Sequence, residues 1–482
     1  MISYSILKRV NQVTKTCVRY KNPPHHWSVL RKKVHPKDKA LDHFDDFYKQ
    51  VFKKKWPSIR EGLLAKQKYV AIINNYGDKE ETIAKFENNG AINVRSLFNL
   101  EKGYIKEEMA KNKRNRTLEE IWRKDREMEQ KHSESNSTNT EVQDEDTTAK
   151  YSLETSMQNA ELDYKRMVDS KNALSTEILN EFIPATKLKG NEDYIPESTH
   201  YKMFDPATST FKIEKEYDMH FPENLNVYCY EENNFSSFEP SGRASTGVLN
   251  YYIMDGGSIL PILALDLTPG CTVLDLCAAP GGKSLLAIQT LYPDRVLSND
   301  ISYSRVNRIK HVYEQFLYDL NERWFKTERV KLSHADGRNL FTNGFDRVLV
   351  DVPCTTDRHS LKENDNNIFK PSRVKERLKL PELQSELLFN ALKLVKKGGI
   401  VVYSTCSLSP IQNDGVVNMA LKKIWEETKL EFVVKDLTPA LLQVRRVFEL
   451  ASPRLLRYGH LVLPKKAQNY GPTYFCKLER VT

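Results

Sequence analysis

From about residue 251 the chain alternates between longer amphipathic segments and short apolar runs that have strand length and end in turn residues. These predicted strands span residues 272–276, 295–300, 330–334, 346–352 and 400–405. The segments around them predict helices at 259–265, 284–291 and 381–395. This alternation predicts a doubly wound, Rossmann-like α/β sheet with helices on both faces. Two late runs, at 459–464 and 473–478, predict an antiparallel hairpin at the edge of the sheet.

The N-terminal half has a different pattern. Residues 40–100 show amphipathic helical spacing, and residues 102–128 are charged enough to predict an exposed helix. Residues 132–148 are polar and acidic, and they bury too little apolar surface to offset chain entropy, which predicts disorder. We therefore expect five segments. They are a leader at 1–37, a helical N-terminal region at 38–128, a disordered linker at 129–150, a poorly defined extension at 151–243 and an α/β domain at 244–482.

Two cysteines directly follow predicted strands. Cys354 follows the run at 346–352, and Cys406 follows the run at 400–405. Ligands of an open parallel sheet bind outside the carboxyl ends of its strands, so two such strand ends can face one reaction centre. A cysteine after a strand is also a common small buried side chain. Two separate thiols beside a nucleotide-type pocket, however, suit covalent methylation of cytosine at carbon 5.

The segment 277–284, Cys-Ala-Ala-Pro-Gly-Gly-Lys-Ser, allows two interpretations. It is one glycine short of a Walker A phosphate loop, and Pro280 removes an amide that a phosphate cradle uses. It also fits a cofactor loop whose glycines let the backbone approach a ligand such as S-adenosylmethionine. Asp300 ends the second strand, where dinucleotide-type folds bind ribose hydroxyls, and Asp336 and Gly337 follow the third. The two acids favour the cofactor loop.

Composition narrows the class of protein further. A net charge of +9 over 482 residues suits a polyanionic partner. The seven cysteines include no C-x-x-C pair, so we expect no metal site, and free thiols in a reducing compartment. No apolar run has the length of a membrane span, so we expect no membrane segment.

The first 37 residues contain no Asp or Glu, but they contain nine Lys or Arg residues. Serines, threonines and scattered apolar residues fill the first twenty positions. This composition is typical of a mitochondrial presequence, and it lacks the continuous apolar core of a secretory signal. The alternative is a basic arm that contacts RNA directly. We favour the presequence and a location in the mitochondrial matrix.

Five motifs occur in order over residues 248–482: DLCAAPGGK, SNDISYSR, DGR, DVPCTTDRHS and YSTCSLSPIQN. Together they resemble the successive motifs of the NOP/Sun family of RNA cytosine-5 methyltransferases. Residues 41–75, which contain WPSIREGLLAKQKY, resemble the branch of that family that acts on mitochondrial ribosomal RNA. The resemblance implies S-adenosyl-L-methionine as methyl donor and ribosomal RNA as substrate. It also implies a helical-repeat partner of the mitochondrial termination-factor type.

The resemblance further implies the roles of individual residues. It makes Cys406 the nucleophile, Cys354 the residue that assists product release, and Asp351 a group near both the cofactor and the target base. The residues that it assigns to cofactor binding lie in the glycine loop and at the strand ends. They are Gly281, Gly282, Lys283, Asp300, Arg305, Asp336, Gly337 and Asp351.

Three functional hypotheses follow. The first is an RNA cytosine-5 methyltransferase that modifies mitochondrial small-subunit ribosomal RNA and takes part in mitochondrial ribosome assembly. The second is an assembly factor that holds ribosomal RNA or a partner protein, with methylation secondary, and the two intact thiols count against it. The third is a P-loop NTPase, and the cysteine at position 277 counts against it.

We expect residues 1–40, fused to a fluorescent protein, to carry the fusion into mitochondria, because the segment is basic and lacks acidic residues. Fluorescence overlap with a mitochondrial marker measures the outcome. A fusion in which the Lys and Arg residues are replaced by Glu is the control and should stay in the cytosol. An unmutated fusion that stays in the cytosol would contradict the presequence and favour the RNA-binding arm.

Overall fold

The structure, a computed structural model, describes residues 35–108, 110–111, 211–342 and 344–482. The predicted presequence up to residue 34 lies outside the described residues. Three further predicted segments also lie outside the described residues. They are the linker, most of the exposed helix and the extension up to residue 210.

Two amphipathic helices begin the described part, as the helical pattern predicts. They are α1 (Pro36–Phe52) and α2 (Trp56–Leu64). The residues that α1 buries lie four positions apart on one face of the helix. They are Ala40, Phe44, Tyr48 and Phe52. The indole Nε1 of Trp56 donates a hydrogen bond to Asp45 Oδ1 at 2.9 Å, which joins α2 to α1.

The rest of the N-terminal region is not wholly helical, so the helical prediction for residues 40–100 is corrected here. The elements after α2 are β1 (Tyr69–Ile73), α3 (Lys79–Asn88), β2 (Ile92–Asn93) and a helical stretch at 94–108. The five residues of β1 include four buried positions in succession. A short, continuous apolar run of this kind fits a strand covered on both faces better than a helix.

Strands β1 and β2 belong to an antiparallel four-stranded sheet. Its other two strands come from further along the chain, namely β4 (Val227–Cys229) and β5 (Tyr251–Asp255), whereas β3 (Ile213–Lys215) joins a larger sheet. The strand order is β2-β4-β1-β5. Residue 244, the predicted start of the α/β domain, therefore lies between two strands of one sheet. Local composition could not reveal this, because the pairing joins segments that are distant in sequence.

Five adjacent parallel strands form one side of the larger sheet and end at its edge, which confirms the predicted α/β fold. They are β6 (Thr272–Asp275), β7 (Arg295–Asp300), β8 (Val330–His334), β9 (Phe345–Asp351) and β10 (Val395–Thr405), in the order β10-β9-β6-β7-β8. The helices of this part are α4 (Ile259–Ala264), α5 (Gly282–Gln289), α6 (Tyr303–Phe316), α7 (Asp357–Lys362), α8 (Val374–Leu394) and α9 (Val416–Glu427). Over the described ranges, no helix has the length and apolar character needed to cross a membrane.

Helix α8 begins earlier than predicted. The predicted helix spans 381–395, whereas α8 begins at Val374 and contains Pro381 in its interior. It ends at Leu394, within one residue of the predicted end. Strand β10 follows directly, and its pairing with β9 shifts register between Val395 and Ile400.

The C-terminal strands make the sheet wider than predicted. They are β11 (Phe432–Asp436), β12 (His460–Val462) and β13 (Thr473–Arg480). β12 and β13 pair antiparallel, as predicted. The hairpin is not the edge of the sheet, however, because β13 lies between β10 and β11, and β3 pairs with β11 beyond them. Strand β3 has only three residues, too few for a recognisable alternating pattern.

The N-terminal helices pack into the same core as the catalytic half of the chain. Phe44 contacts Phe369 edge to face, with 5.3 Å between ring centroids. Buried Arg358 donates from Nη1 to the carbonyl of Gly62 in α2 at 3.1 Å and from Nε to the carbonyl of Gly471 at 2.7 Å. Helices α1 and α2 are therefore part of the α/β unit and not an appended arm.

We expect Phe44→Ala to lower the free energy of unfolding by about 3–5 kcal/mol, because it removes a fully buried ring from this shared core. Denaturant titration followed by tryptophan fluorescence measures the change. Phe341→Ala is the matched control, since the Phe341 side chain is 87% exposed and its loss should shift the midpoint little. Equal midpoints for the two variants would show that α1 does not stabilise the α/β unit.

Candidate active site

The glycine loop connects β6 to α5 and approaches a tyrosine ring closely. Gly281 has a φ of +109°, in the left-handed region that favours glycine. A Cβ atom on Gly282 would lie 2.8 Å from the hydroxyl oxygen of Tyr252. Gly281 is thus favoured by the backbone conformation and Gly282 by the close approach of Tyr252, as expected for a loop that brings its main chain near a ligand.

Two buried acids lie beside this loop and keep carboxylate oxygens without hydrogen-bond partners. Asp275 Oδ2 accepts from Ser284 at 2.6 Å, but its Oδ1 has no partner within the described part of the chain. Burial raises the pKa of Asp275 to about 7. Asp300, at the end of β7, accepts from the amide of Ser302, and its Oδ2 has no hydrogen-bond partner among the described residues.

Arg305 accompanies Asp300, as predicted. Its Nη2 lies 3.4 Å from Asp300 Oδ2 and donates to the carbonyl of Ala279 in the glycine loop at 3.0 Å. The arginine therefore joins the second strand end to the loop. A buried carboxylate oxygen left without a hydrogen-bond donor at this point fits a ribose hydroxyl, so these residues fit S-adenosylmethionine.

Asp336 and Gly337 follow β8 and differ from each other in what they contact. Arg338 donates to Asp336 through its guanidinium at 2.7 Å and through its backbone amide at 3.0 Å, and these bonds hold the pKa of Asp336 below its usual value. A Cβ on Gly337 would lie 2.9 Å from Leu387, so the glycine permits close packing of α8. Contact of this pair with the adenine side remains a prediction.

The two predicted catalytic cysteines lie together. Strands β9 and β10 are parallel neighbours, and the Sγ atoms of Cys354 and Cys406 are 3.0 Å apart. Cys354 is buried, and the backbone amides of Thr356 and Cys406 each donate to its Sγ at 3.4 Å. Cys406 is exposed. Of the two thiols, Cys406 is thus the one open to a large substrate.

Asp351 links the thiols to the glycine loop. Its Oδ2 accepts from Lys283 Nζ at 2.6 Å, and its Oδ1 accepts from Ser404 Oγ at 2.7 Å. Burial would lower the pKa of Lys283, but the charge and hydrogen bond of Asp351, with Cys406, raise it above its usual value. The lysine is therefore held in its charged form between cofactor loop and thiols.

The environment of Cys406 favours the neutral thiol. Its contact with Cys354 and the charge of Asp351 raise its pKa well above the usual value, whereas Lys283 acts in the opposite direction. A thiolate at Cys406 therefore requires removal of a proton when the substrate is in place.

Two glutamines that the motifs did not single out brace the cysteine loops. Gln384 donates to the carbonyl of Pro353 at 2.8 Å, and Gln412 accepts from the amide of Thr355 at 3.1 Å. Asp275 was also missed, although it lies near the end of a predicted strand, and that position was an available signal. Gln412 lies within the motif that contains Cys406, which was also an available signal. Gln384 had no such signal, because α8 reaches the site only through the fold.

Among the described residues there is no group of three or more His, Cys, Asp or Glu side chains arranged to hold a metal ion. The functional groups that converge here are thiols, a Lys–Asp pair and a glycine loop at the carboxyl ends of parallel strands. They define a Rossmann-like methyltransferase with a cysteine pair at its reaction centre.

Comparison with known proteins gives the family. The family model described as 16S rRNA methyltransferase RsmB/F matches residues 262–452. The chain is 33% identical over 480 residues to the 5-cytosine rRNA methyltransferase NSUN4 of Xenopus tropicalis, covering 99% of this chain and 98% of that protein. It is 40% identical over 294 residues to NSUN4 of Bos taurus, covering 60% of this chain and 75% of that protein. A methyltransferase homologue from Pyrococcus horikoshii has a similar structure, with a TM-score of 0.48, 16% identity and coverage of 93% and 99%.

The chain therefore belongs to the RsmB/F (NOP/Sun) family and is an RNA cytosine-5 methyltransferase that uses S-adenosylmethionine. The family resemblance stated from the motifs is confirmed.

We expect Gly282→Ala to weaken S-adenosylmethionine binding at least about tenfold, a loss of about 1.4 kcal/mol, because the new methyl group must displace Tyr252 or the loop. Isothermal titration calorimetry measures the affinity. Gly242→Ala is the control, since its Cβ would meet nothing within 4 Å. An unchanged affinity for Gly282→Ala would show that the loop does not need this close approach.

Proposed function

We propose that this protein methylates carbon 5 of a cytosine in mitochondrial small-subunit ribosomal RNA, through a covalent bond between Cys406 and carbon 6 of the base. The observation that carries the proposal is the thiol pair, with its Sγ atoms 3.0 Å apart beside the Lys283–Asp351 pair. The ribosomal substrate is supported by relatives that align over nearly the whole chain and are named 5-cytosine rRNA methyltransferases.

The chemistry requires a nucleophile, because carbon 5 of cytosine is too weakly nucleophilic to accept a methyl group unaided. Addition of the Cys406 thiolate at carbon 6 makes carbon 5 enamine-like. S-adenosylmethionine, when bound, supplies an electrophilic methyl group. The exposure of Cys406 and the burial of Cys354 support this assignment of the nucleophile. The base must be unpaired or flipped out to reach a thiol at a strand end.

Proton transfers complete the reaction. Asp351 lies between Lys283 and Ser404. We assign it, in its protonated form, to donate a hydrogen bond to the ring nitrogen, which assists addition at carbon 6. Loss of the proton from carbon 5 then allows Cys406 to be eliminated. We assign Cys354 to act as base or relay in this step. The position of its Sγ beside that of Cys406, where it accepts from two backbone amides, supports this assignment.

We assign the residues at successive strand ends to different parts of S-adenosylmethionine. Gly281, Gly282 and Lys283 are assigned to the methionine and sulfonium end. Asp300, with Arg305, is assigned to the ribose, which is supported by an Oδ2 that accepts no hydrogen bond from the described residues. Asp336 and Gly337 are assigned to the adenine side, on the resemblance alone.

We further propose that the protein works in the mitochondrial matrix and takes part in mitochondrial ribosome assembly there. The basic, acid-free residues 1–37 and the ribosomal-RNA relatives support this. A helical-repeat partner of the mitochondrial termination-factor type is proposed from the same resemblance. An assembly factor without a catalytic role would not need two thiols placed at adjacent strand ends.

We expect Cys354→Ala to accumulate a covalent protein–RNA adduct, because Cys406 still adds to the base but elimination is impaired. Cys406→Ala should form no adduct and lose about 10³-fold or more of the methylation rate. Denaturing gels with radiolabelled RNA measure the adduct. Cys229→Ala, which changes a buried cysteine of the smaller sheet, is the control and should methylate normally. An adduct on Cys354 in the Cys406→Ala variant would reverse the two roles.

The function itself is tested in cells that lack the protein. Bisulfite sequencing of mitochondrial ribosomal RNA should show the loss of a methylated cytosine, which the wild-type protein restores and Cys406→Ala does not. An unchanged cytosine pattern together with defective ribosomes would overturn the proposal and favour the assembly factor.

A further inference from the structure

One buried carboxylate that the reaction scheme above does not use lies beside the thiol pair. Asp357 is the first residue of α7, and its side chain is fully buried. Its Oδ1 accepts from the hydroxyl of Thr355 at 2.5 Å and from that of Ser407 at 3.1 Å. Its Oδ2 accepts from Tyr48 Oη and from the amide of Leu408, both at 2.7 Å. One carboxylate thus receives four donors.

These donors come from three separate parts of the chain. Thr355 is the residue after Cys354, and Ser407 is the residue after Cys406. Tyr48 comes from α1, at the other end of the sequence. In addition, the backbone amide of Asp357 donates to the carbonyl of Cys406 at 3.3 Å. A single side chain therefore joins the residues that follow the two thiols and ties both to an N-terminal helix.

We propose that Asp357 is a positioning residue that sets the separation of Cys354 and Cys406. The hydrogen bond from Tyr48 makes helix α1 part of the network that holds Asp357 in place. The proposal rests on the proposed roles of the two thiols. Among the described residues, the Asp357 carboxylate accepts from hydroxyls and an amide and not from either Sγ atom, so it acts through the loops that carry them. Burial raises its pKa, and the amide and hydroxyl donors oppose that rise, as expected for a carboxylate held in place by donors from several segments.

The chain offers a matched comparison. Asp414 is also buried and accepts from Tyr474 and from the amides of Tyr458 and Gly459, but these donors belong to the C-terminal strand region. Loss of either carboxylate weakens a buried network, so both changes should destabilise the fold. Only the loss of Asp357 should change how the two thiols react with each other.

The test measures the thiols directly in the full-length protein. Diamide removes one hydrogen from each of two thiols, which become a disulfide, while diamide is reduced to its hydrazine. We expect Asp357→Asn to slow formation of the Cys354–Cys406 disulfide by about tenfold or more, because loss of about 1 Å in positioning is that costly. Tyr48→Phe should slow it by a smaller factor. Asp414→Asn and Tyr474→Phe, which removes the hydroxyl that donates to Asp414, should leave the rate unchanged.

The pH profile of Cys406 alkylation gives a second readout, resolved by peptide mass spectrometry. The groups that face Cys406 are Cys354, Asp351 and Lys283, and the contact with Cys354 contributes most to the raised pKa. Loosening the pair should therefore move the alkylation midpoint to lower pH by about half a unit or more. Tyr48→Phe keeps the carboxylate charge, so a shift in that variant reports geometry and not charge.

The outcomes separate this proposal from the proposed function. Disulfide rates and alkylation midpoints in Asp357→Asn and Tyr48→Phe that match those of wild type, or shifts equal to those of Asp414→Asn, would overturn the positioning role. Those measurements need no RNA. The thiol roles themselves fail only if the adduct experiment fails, whatever Asp357 does.

Discussion

The parallel pairing of β9 with β10 is the constraint on which the site depends. In this register Asp351 lies opposite Ser404, and their side chains are hydrogen-bonded at 2.7 Å. Each strand ends just before the loop that carries its cysteine, so the pairing brings the thiols together. Strand β6 pairs with the other side of β9 and brings the glycine loop to the same edge. The cofactor loop, the acid and the thiols are thus positioned by backbone hydrogen bonds before any side chain contributes.

Polar side chains then provide hydrogen-bond partners for loop groups that the sheet does not pair. The segments after β9 and β10 are buried, and buried amides, carbonyls and hydroxyls are costly without partners. Gln384, Gln412 and Asp357 supply those partners, and they reach the site from α8, from the loop after Cys406 and from α7. The same groups that satisfy the backbone also restrict the thiols, so stability and reactivity depend on one network.

Many of the site residues and the first helix were predictable from the sequence. Cys354, Cys406, Asp300 and the glycine loop follow apolar runs that have clear strand length, and the strand-end rule places such residues at one edge of a parallel sheet. Helix α1 was predictable because its apolar residues recur every four positions. The roles of Tyr48, Gln384 and Asp357 were not predictable, because each forms hydrogen bonds to groups that are far away in sequence. The strands β1 and β3 were missed because short runs carry little periodicity.

The position of β13 shows that the segment matched by the family model is smaller than the unit that can fold. Residues 262–452, which the family model matches, include β10 and β11 but not the strand that lies between them. A chain cut to that segment would leave two facing strand edges one strand apart, with their amides and carbonyls unpaired, and such edges invite aggregation. It would also lack Tyr48 and the Gly62 carbonyl that buried Arg358 uses. The smallest autonomous enzyme must therefore include both the N-terminal helices and the final strand.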